Sequence, residues 1–219
     1  MSKKAKEHSS VKQFSLNGHS RPVNMVLYNK DGDMFFSCSN DKLIIAWDNE
    51  TAEKVGVYEG PSACKSLAIS KNTEYVIGSY GMEGIVIYEA LTGNKVFNFK
   101  PAEGTRSEYI EFSQGDSELL TLVTKDAKSS IIIYDFKKLL SGEKKVKKAF
   151  NFDSELSQAS YGYLNTKLYV STLNGKMKII DLQSEETELD EPIHPGQPIF
   201  SFTFSKDYSM LATCGKEGK

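Results

Sequence analysis

Short runs of apolar residues alternate with polar turn residues along most of the chain. The runs are four to six residues long, are rich in Val, Ile, Tyr and Phe, and are bounded by Gly, Asn, Asp and Ser. This pattern is typical of antiparallel β-strands. The first such stretch predicts strands over Val23–Tyr28, Met34–Ser37, Leu43–Trp47 and Val55–Tyr58. Because helical periodicity is nowhere sustained, the sequence predicts an all-β fold.

Two markers repeat along the chain with nearly the same period. The first is a turn signal between two apolar runs, and its successive starts lie 41, 43, 51 and 41 residues apart. It occurs at Asn29–Asp33, Ser70–Glu74, Ser113–Ser117, Leu164–Lys167 and Ser205–Ser209. The second is a β-branched run that ends in a bulky residue, namely Trp47, Tyr88, Tyr134 or Ile180. A four-stranded sheet of this size cannot bury both faces alone, so the repeated units are expected to stack around an axis as a β-propeller.

The first repeat carries residues that resemble a known family. Gly18-His19, Ser37, Asp41 and Trp47-Asp48 have the spacing of the WD-repeat β-propeller. Within that family, the chain is similar to subunit i of eukaryotic translation initiation factor 3. Four stretches carry this likeness: Gly18–Asn24, Tyr28–Asp33, Val55–Gly60 and Leu211–Lys216.

The resemblance implies a buried hydrogen-bond chain of four residues, a structural tetrad. It assigns this tetrad to His19, Ser37, Asp41 and Trp47. A buried carboxylate without partners is costly, whereas in a complete network each group satisfies the next. Only the first repeat holds all four residue types; the Ser and Asp positions read Gly78 and Met82 in the second repeat, and Val170 and Asn174 in the fourth. Those repeats are expected to rely on apolar packing instead.

The repeats also set an expected domain organisation. Residues 1–11 are expected to form a disordered polar tail, and residues 12–219 a propeller domain. Repeats are expected near 19–60, 61–104, 105–153, 154–194 and 195–219, which gives four full blades and half of a fifth. Lys12–Asn17 has the place and pattern of a strand that closes the ring, and Glu217 stands at the tetrad-Asp position of the fifth repeat. Since the family usually has seven blades, a fragment of a longer protein is the favoured interpretation; the alternative is a naturally short propeller that closes with a partner chain.

Composition and charge exclude several classes of protein. The chain has 219 residues, 39% of them hydrophobic, and a formal net charge of −2. Only Arg21 and Arg106 are arginines, and reading of DNA bases depends on arginine, so no DNA partner is expected. The three cysteines form no paired motif, which disfavours both disulfides and zinc. The sequence has neither an apolar leader nor an apolar run long enough to span a bilayer. No membrane association is therefore expected, and the cytoplasm is the expected location.

No motif in the sequence indicates catalysis, a cofactor or a metal. There is no nucleophile elbow, no His-Glu-x-x-His motif and no P-loop. His194 stands where a repeat would begin and is expected to be structural. Five acidic residues in Glu185–Glu191 are interpreted as a solvated connection between repeats.

A cluster of lysines is the clearest lead to a contact surface. Six of them are expected in the connection between the third and fourth strands of the third repeat: Lys137, Lys138, Lys144, Lys145, Lys147 and Lys148. The plain interpretation is a solubilising surface segment. The functional alternative is contact with ribosomal RNA or an acidic partner, since lysines act as point charges on phosphate.

The resemblance implies a non-catalytic scaffold subunit of initiation factor 3. Such a subunit would dock other subunits of the complex, with b and g as the partners that the family implies, and would support initiation on the small ribosomal subunit. A WD-repeat signalling adaptor is an alternative within the binding class. A propeller enzyme or a lectin is an alternative of another class.

Overall fold

The computed structural model describes residues 15–216, which form five antiparallel sheets. Four sheets have four strands and the fifth has two, and we number them blades 1 to 5 in chain order. The all-β prediction is therefore confirmed. The predicted tail at residues 1–11, the beginning of the predicted strand Lys12–Asn17 and Glu217 all lie outside the described residues. The described remainder of that predicted strand, residues 15–17, is coil rather than strand.

The strands follow the chain in simple order. Blade 1 contains β1 (Val23–Tyr28), β2 (Met34–Ser39), β3 (Leu43–Asp48) and β4 (Lys54–Glu59). Blade 2 contains β5 (Ser66–Ile69), β6 (Tyr75–Ser79), β7 (Ile85–Glu89) and β8 (Lys95–Phe99). Blade 3 contains β9 (Arg106–Phe112), β10 (Glu118–Lys125), β11 (Lys128–Asp135) and β12 (Val146–Phe152). Blade 4 contains β13 (Leu156–Tyr161), β14 (Lys167–Thr172), β15 (Lys176–Asp181) and β16 (Thr187–Pro192), and blade 5 contains β17 (Ile199–Phe204) and β18 (Leu211–Gly215).

Each blade is a meander in which every strand pairs with the next. In all four complete blades the register between the third and fourth strands shifts at one position, where the bulky residue ends the β-branched run. These residues are Trp47, Tyr88, Tyr134 and Ile180. A bulge increases the local twist of a sheet. The bulky residues that mark the repeat in the sequence therefore also mark the point where the pairing with the outer strand is irregular.

The hydrophobic core lies between blades. Neighbouring sheets share apolar clusters, as where Phe36, Ile44 and Tyr58 of blade 1 pack with Leu67 and Tyr88 of blade 2. Similar clusters join blade 2 to blade 3 and blade 3 to blade 4. Burial of apolar area is the main favourable term in such packing, so each blade depends on its neighbours for stability.

The five predicted turns lie along one rim and are joined by hydrogen bonds from blade to blade. Asn29 Nδ2 donates to Thr73 Oγ1 at 3.2 Å, and the Lys71 amide donates to Asp116 Oδ2 at 2.6 Å. Gln114 then connects three blades: its amide donates to Asn165 Oδ1 at 2.9 Å, and its Nε2 donates to the Tyr208 hydroxyl at 2.9 Å. The turn residues thus bind neighbouring blades together in addition to reversing the chain.

Two short helical segments depart from the expected all-strand pattern. The helix α1 (Phe136–Leu140) follows β11, with Asp135 as its N-cap, and it buries Phe136 and Leu139. A single 3₁₀ turn covers Tyr163–Asn165. Helical periodicity cannot reveal a five-residue helix, because the pattern needs about 11 residues or more to be recognised.

Candidate functional site

The structure brings the four predicted tetrad residues of blade 1 together. His19 Nδ1 lies 3.0 Å from Asp41 Oδ2, and its Nε2 lies 2.7 Å from Ser37 Oγ. The indole Nε1 of Trp47 donates to the same Ser37 Oγ at 2.8 Å. Every group is satisfied when His19 carries its proton on Nδ1, because the serine hydroxyl then donates to Nε2 and accepts from the indole.

Asp41 anchors this chain to the backbone on both sides. Its carboxylate accepts hydrogen bonds from the amides of Ser20 at 2.9 Å and Leu43 at 3.1 Å. Burial disfavours the charged form, but these two amides and the His19 imidazole together hold the pKa of Asp41 below its ordinary value. The tetrad therefore ties the segment entering blade 1 to the turn between β2 and β3.

Blade 2 replaces the tetrad with a pair of tyrosines. Tyr88 takes the Trp47 position, and its hydroxyl lies 3.0 Å from the Tyr80 hydroxyl while donating to the Glu59 carbonyl at 3.0 Å. The sequence predicts that blade 2 relies on apolar packing in place of the tetrad; the two tyrosines lie in the apolar cluster and add hydrogen bonds to that packing. The physical reason is space: a Cβ on Gly78 would lie 2.6 Å from the Tyr80 ring, and a Cβ on Gly60 would also clash with that ring. Burial raises the pKa of Tyr88 to about 12, so the pair stays protonated.

Blades 3, 4 and 5 differ in how much hydrogen bonding they keep at the tetrad positions. In blade 3 the hydroxyl of Tyr134 donates to the Pro101 carbonyl at 3.2 Å. In blade 4 Val170 and Ile180 are buried and apolar, as expected from the sequence. In blade 5 His194 Nε2 lies 2.8 Å from Thr213 Oγ1, which reproduces the His–Ser contact of blade 1 and gives His194 a structural partner.

The structure spreads the six predicted lysines over three local environments. Lys137 and Lys138 lie on α1, Lys144 and Lys145 lie in the following loop, and Lys147 and Lys148 lie in β12 rather than in the connection. Lys147 pairs with Glu118, Lys148 with Glu185 and Lys138 with Glu143. Lys137, Lys144 and Lys145 form no ion pair with any residue in the range 15–216.

The acidic stretch Glu185–Glu191 is an edge strand rather than a solvated connection. Most of it forms β16, the outer strand of blade 4. Its carboxylates are balanced by lysines of neighbouring strands: Lys167 pairs with Glu188, and Lys176 and Lys178 both pair with Asp190. Pairing with lysines offsets the low strand propensity of Asp and Glu.

The inner strands of all five blades surround a shared hub, which has one acidic residue on its wall. The hub cavity has a volume of about 360 Å³, and its lining includes Leu27, Phe112 and Phe202. Glu111 of β9 also lines it and accepts hydrogen bonds from Ser160 Oγ at 2.9 Å, the Tyr161 amide at 3.2 Å and the Tyr109 hydroxyl at 2.9 Å. Burial raises the pKa of Glu111 to about 7, and these three hydrogen bonds oppose the rise. No sequence pattern pointed to Glu111, because the alternation in β9 does not show which polar side chain faces the hub.

The family comparison bears on the first repeat. The model described as "WD domain, G-beta repeat" matches residues 10–48, the stretch that holds the complete tetrad. Residues 10–48 are thus similar to a WD repeat. The match ends at Asp48, the last residue of β3 in blade 1.

Similarity over nearly the whole of this chain extends the comparison to the other blades. The chain is similar to proteins named "Eukaryotic translation initiation factor 3 subunit I". The one from Dictyostelium discoideum is 27% identical, over 95% of this chain and 63% of that protein. Those from Neurospora crassa and Schizosaccharomyces pombe are 27% and 24% identical, over 94% of this chain and 61% and 65% of their own lengths. The chain thus spans less than two thirds of the length of these curated relatives.

A solved structure supports the architecture. The β-propeller domain of Cps50 (Swd1) from Myceliophteria thermophila superposes with a TM-score of 0.74, at 17% identity, over 91% of this chain and 63% of that one. At this identity the likeness concerns the fold alone. The five sheets of the described residues are therefore arranged as blades of a propeller-type array.

No cluster of three or more His, Cys, Asp or Glu within the described residues, 15–216, could hold a metal ion. No helix in the same range is long and apolar enough to cross a membrane.

We expect His19→Ala and Asp41→Ala each to lower the free energy of unfolding by roughly 1–3 kcal/mol, since each leaves a buried partner without its hydrogen bond. The two side chains are only 6% and 5% exposed. Chemical unfolding measures the loss. His194→Ala is the matched control and is expected to cost less, because β18 is largely exposed. Unfolding curves unchanged by both blade 1 substitutions would contradict a stabilising tetrad.

We expect Glu111→Gln to stabilise the protein increasingly as the pH rises from about 4.5, the ordinary pKa of glutamate, to about 7. A carboxyl whose pKa is raised by folding makes the folded protein less stable as the pH rises through this interval. The neutral amide of glutamine has no such effect. Denaturant unfolding at several pH values gives the difference between variant and wild type. Glu103→Gln, on an exposed turn, is the control and should show no such trend. A difference independent of pH would show that Glu111 titrates normally in the hub.

Proposed function

We propose that this chain is a non-catalytic scaffold subunit of the eukaryotic translation initiation factor 3 complex. The similarity to subunit I proteins of a slime mould and two fungi, over 94–95% of this chain, carries the proposal. By the same likeness, subunits b and g are the expected partners, and initiation on the small ribosomal subunit is the expected process. The cytoplasm is then the place of action.

The architecture is compatible with a scaffold. Inter-blade cores and the hydrogen-bonded rim hold the sheets as one array, and such an array presents loops and sheet edges to other polypeptides. Both described histidines, His19 and His194, are engaged in hydrogen bonds between strands and entering segments. Their arrangement suits structural rather than acid–base work, which supports a non-catalytic role.

Affinity purification tests this proposal most directly. The full natural protein that contains this sequence, tagged in its own cells, is expected to co-purify with initiation factor 3 subunits, b and g among them, and with small ribosomal subunits. A tagged unrelated WD-repeat protein from the same cells is the control. Recovery of a stable set of partners without any initiation factor subunit would overturn the proposal, as would substrate turnover by the purified protein.

The lysines of blade 3 supply a second test, on ribosome contact. We propose that Lys137, Lys144 and Lys145, which have no carboxylate partner in the described chain, contact ribosomal RNA phosphates. Changing all three to Gln should reduce the slope of log affinity against log salt, for binding to small ribosomal subunits, by about 2. The matched control changes Lys30, Lys54 and Lys95 of blades 1 and 2 and should leave the slope unaltered. An unchanged slope in the blade 3 variant would remove this surface from the proposal.

A further inference from the structure

An apolar groove lies between blades 1 and 2, outside the hub. It has a volume of about 300 Å³. The buried side chains of Phe36, Ala46 and Tyr58 form part of its lining. Val55 and Leu91 line it as well, and they are 55% and 94% exposed. The groove therefore has a buried apolar base and two apolar side chains that reach into solvent.

The exposure of Val55 and Leu91 does not follow from the packing of the blades. Val55 occupies the register shift in β4, between Lys54 and Gly56, and faces no residue of β3. Leu91 stands in the turn between β7 and β8, next to Ala90, whose carbonyl accepts a hydrogen bond from the Tyr58 hydroxyl at 2.7 Å. Exposed apolar side chains around a preformed groove are typical of a binding surface.

Acidic residues outnumber lysines around the groove. Six acids lie within two positions of a lining residue in the sequence, with the two lysines Lys54 and Lys71: Asp33, Asp48, Glu53, Glu59, Glu74 and Glu89. None of the six acids forms an ion pair with another residue of the described range. The nearby Lys54 directs its ammonium over the Trp47 ring, at 6.0 Å. Trp47 belongs to the opposite face of blade 1 from Ala46, because successive side chains of a strand alternate.

In blades 3 and 4, four acidic side chains each pair with a lysine: Glu118, Glu185, Glu188 and Asp190. The acids around the groove have no such partner within residues 15–216, so their negative charge stands beside exposed apolar surface. A charged rim around an apolar centre attracts a partner of opposite charge and rejects one of like charge.

We propose that this groove docks a basic segment of a partner protein. The segment inserts one aliphatic or aromatic side chain between Val55 and Leu91 and places lysines or arginines beside Glu53 and Glu74. A nucleic acid does not fit, because its phosphates would meet the acidic rim. The proposal goes beyond the translation role and does not depend on it.

Selection from a random peptide library displayed on phage tests the proposal with the folded full chain. Peptides that bind wild type are re-measured against the Val55→Ser/Leu91→Ser variant by fluorescence anisotropy. Both substitutions remove exposed side chains, so thermal unfolding should be unchanged. We expect peptides with net positive charge and an apolar residue, and a loss of affinity of roughly tenfold or more in the variant. Leu164→Ser removes an exposed leucine of blade 4 and is the matched control, which should retain binding.

The charge of the rim is tested separately with Glu53→Gln/Glu74→Gln. This variant should bind the selected peptides more weakly, and the difference from wild type should shrink as salt is added. Absence of any peptide whose binding depends on Val55 and Leu91 would overturn the proposal. Dependent peptides that are neutral or acidic would also overturn it. Self-association of the protein that disappears in the Val55→Ser/Leu91→Ser variant would identify a second copy as the occupant instead.

Discussion

The hydroxyl of Ser37 holds three parts of blade 1 in place. It belongs to the second strand, accepts a hydrogen bond from the indole of the third strand and contacts the imidazole of the entering segment. These contacts add to the hydrogen bonds that Asp41 accepts from the same entering segment, at the His19 imidazole and the Ser20 amide. Because hydrogen bonds are directional, they fix where the entering segment lies on the sheet as well as holding it close. The other blades must also hold their entering segments in place.

Three of the following blades meet this constraint with different chemistry. In blades 2 and 3 a tyrosine replaces the tryptophan, and its hydroxyl reaches the backbone carbonyl of the entering segment directly, at Glu59 and Pro101. Blade 5 keeps only the contact between His194 and Thr213. The repeat-family match covers residues 10–48, while the architecture continues through the described chain. Loss of the sequence motif does not require loss of the contact that it provides.

The sequence predicted the strands and turns well, because they depend on local pattern. In blade 1 the predicted strands differ from the observed ones by at most two residues at an end. The tetrad residues could be named because the family motif carries their spacing. The tyrosine pair of blade 2 could not, since it depends on Gly60 and Gly78 leaving room for the Tyr80 ring. Glu111 and the pairing of β16 depend on which side chains meet across strands and blades, and local pattern does not contain that information.

The hydrogen-bond chain of blade 1 includes a buried indole, and it belongs to the single tryptophan of the chain, Trp47. Hydrogen exchange of the Trp47 indole N–H, followed by two-dimensional NMR, therefore tests it without ambiguity of assignment. We predict exchange that is much slower than in an unfolded chain and that accelerates strongly in Ser37→Ala, with the folded spectrum retained. Fast exchange in the wild-type protein, or an unchanged rate in Ser37→Ala, would contradict the central role of this hydrogen-bond chain.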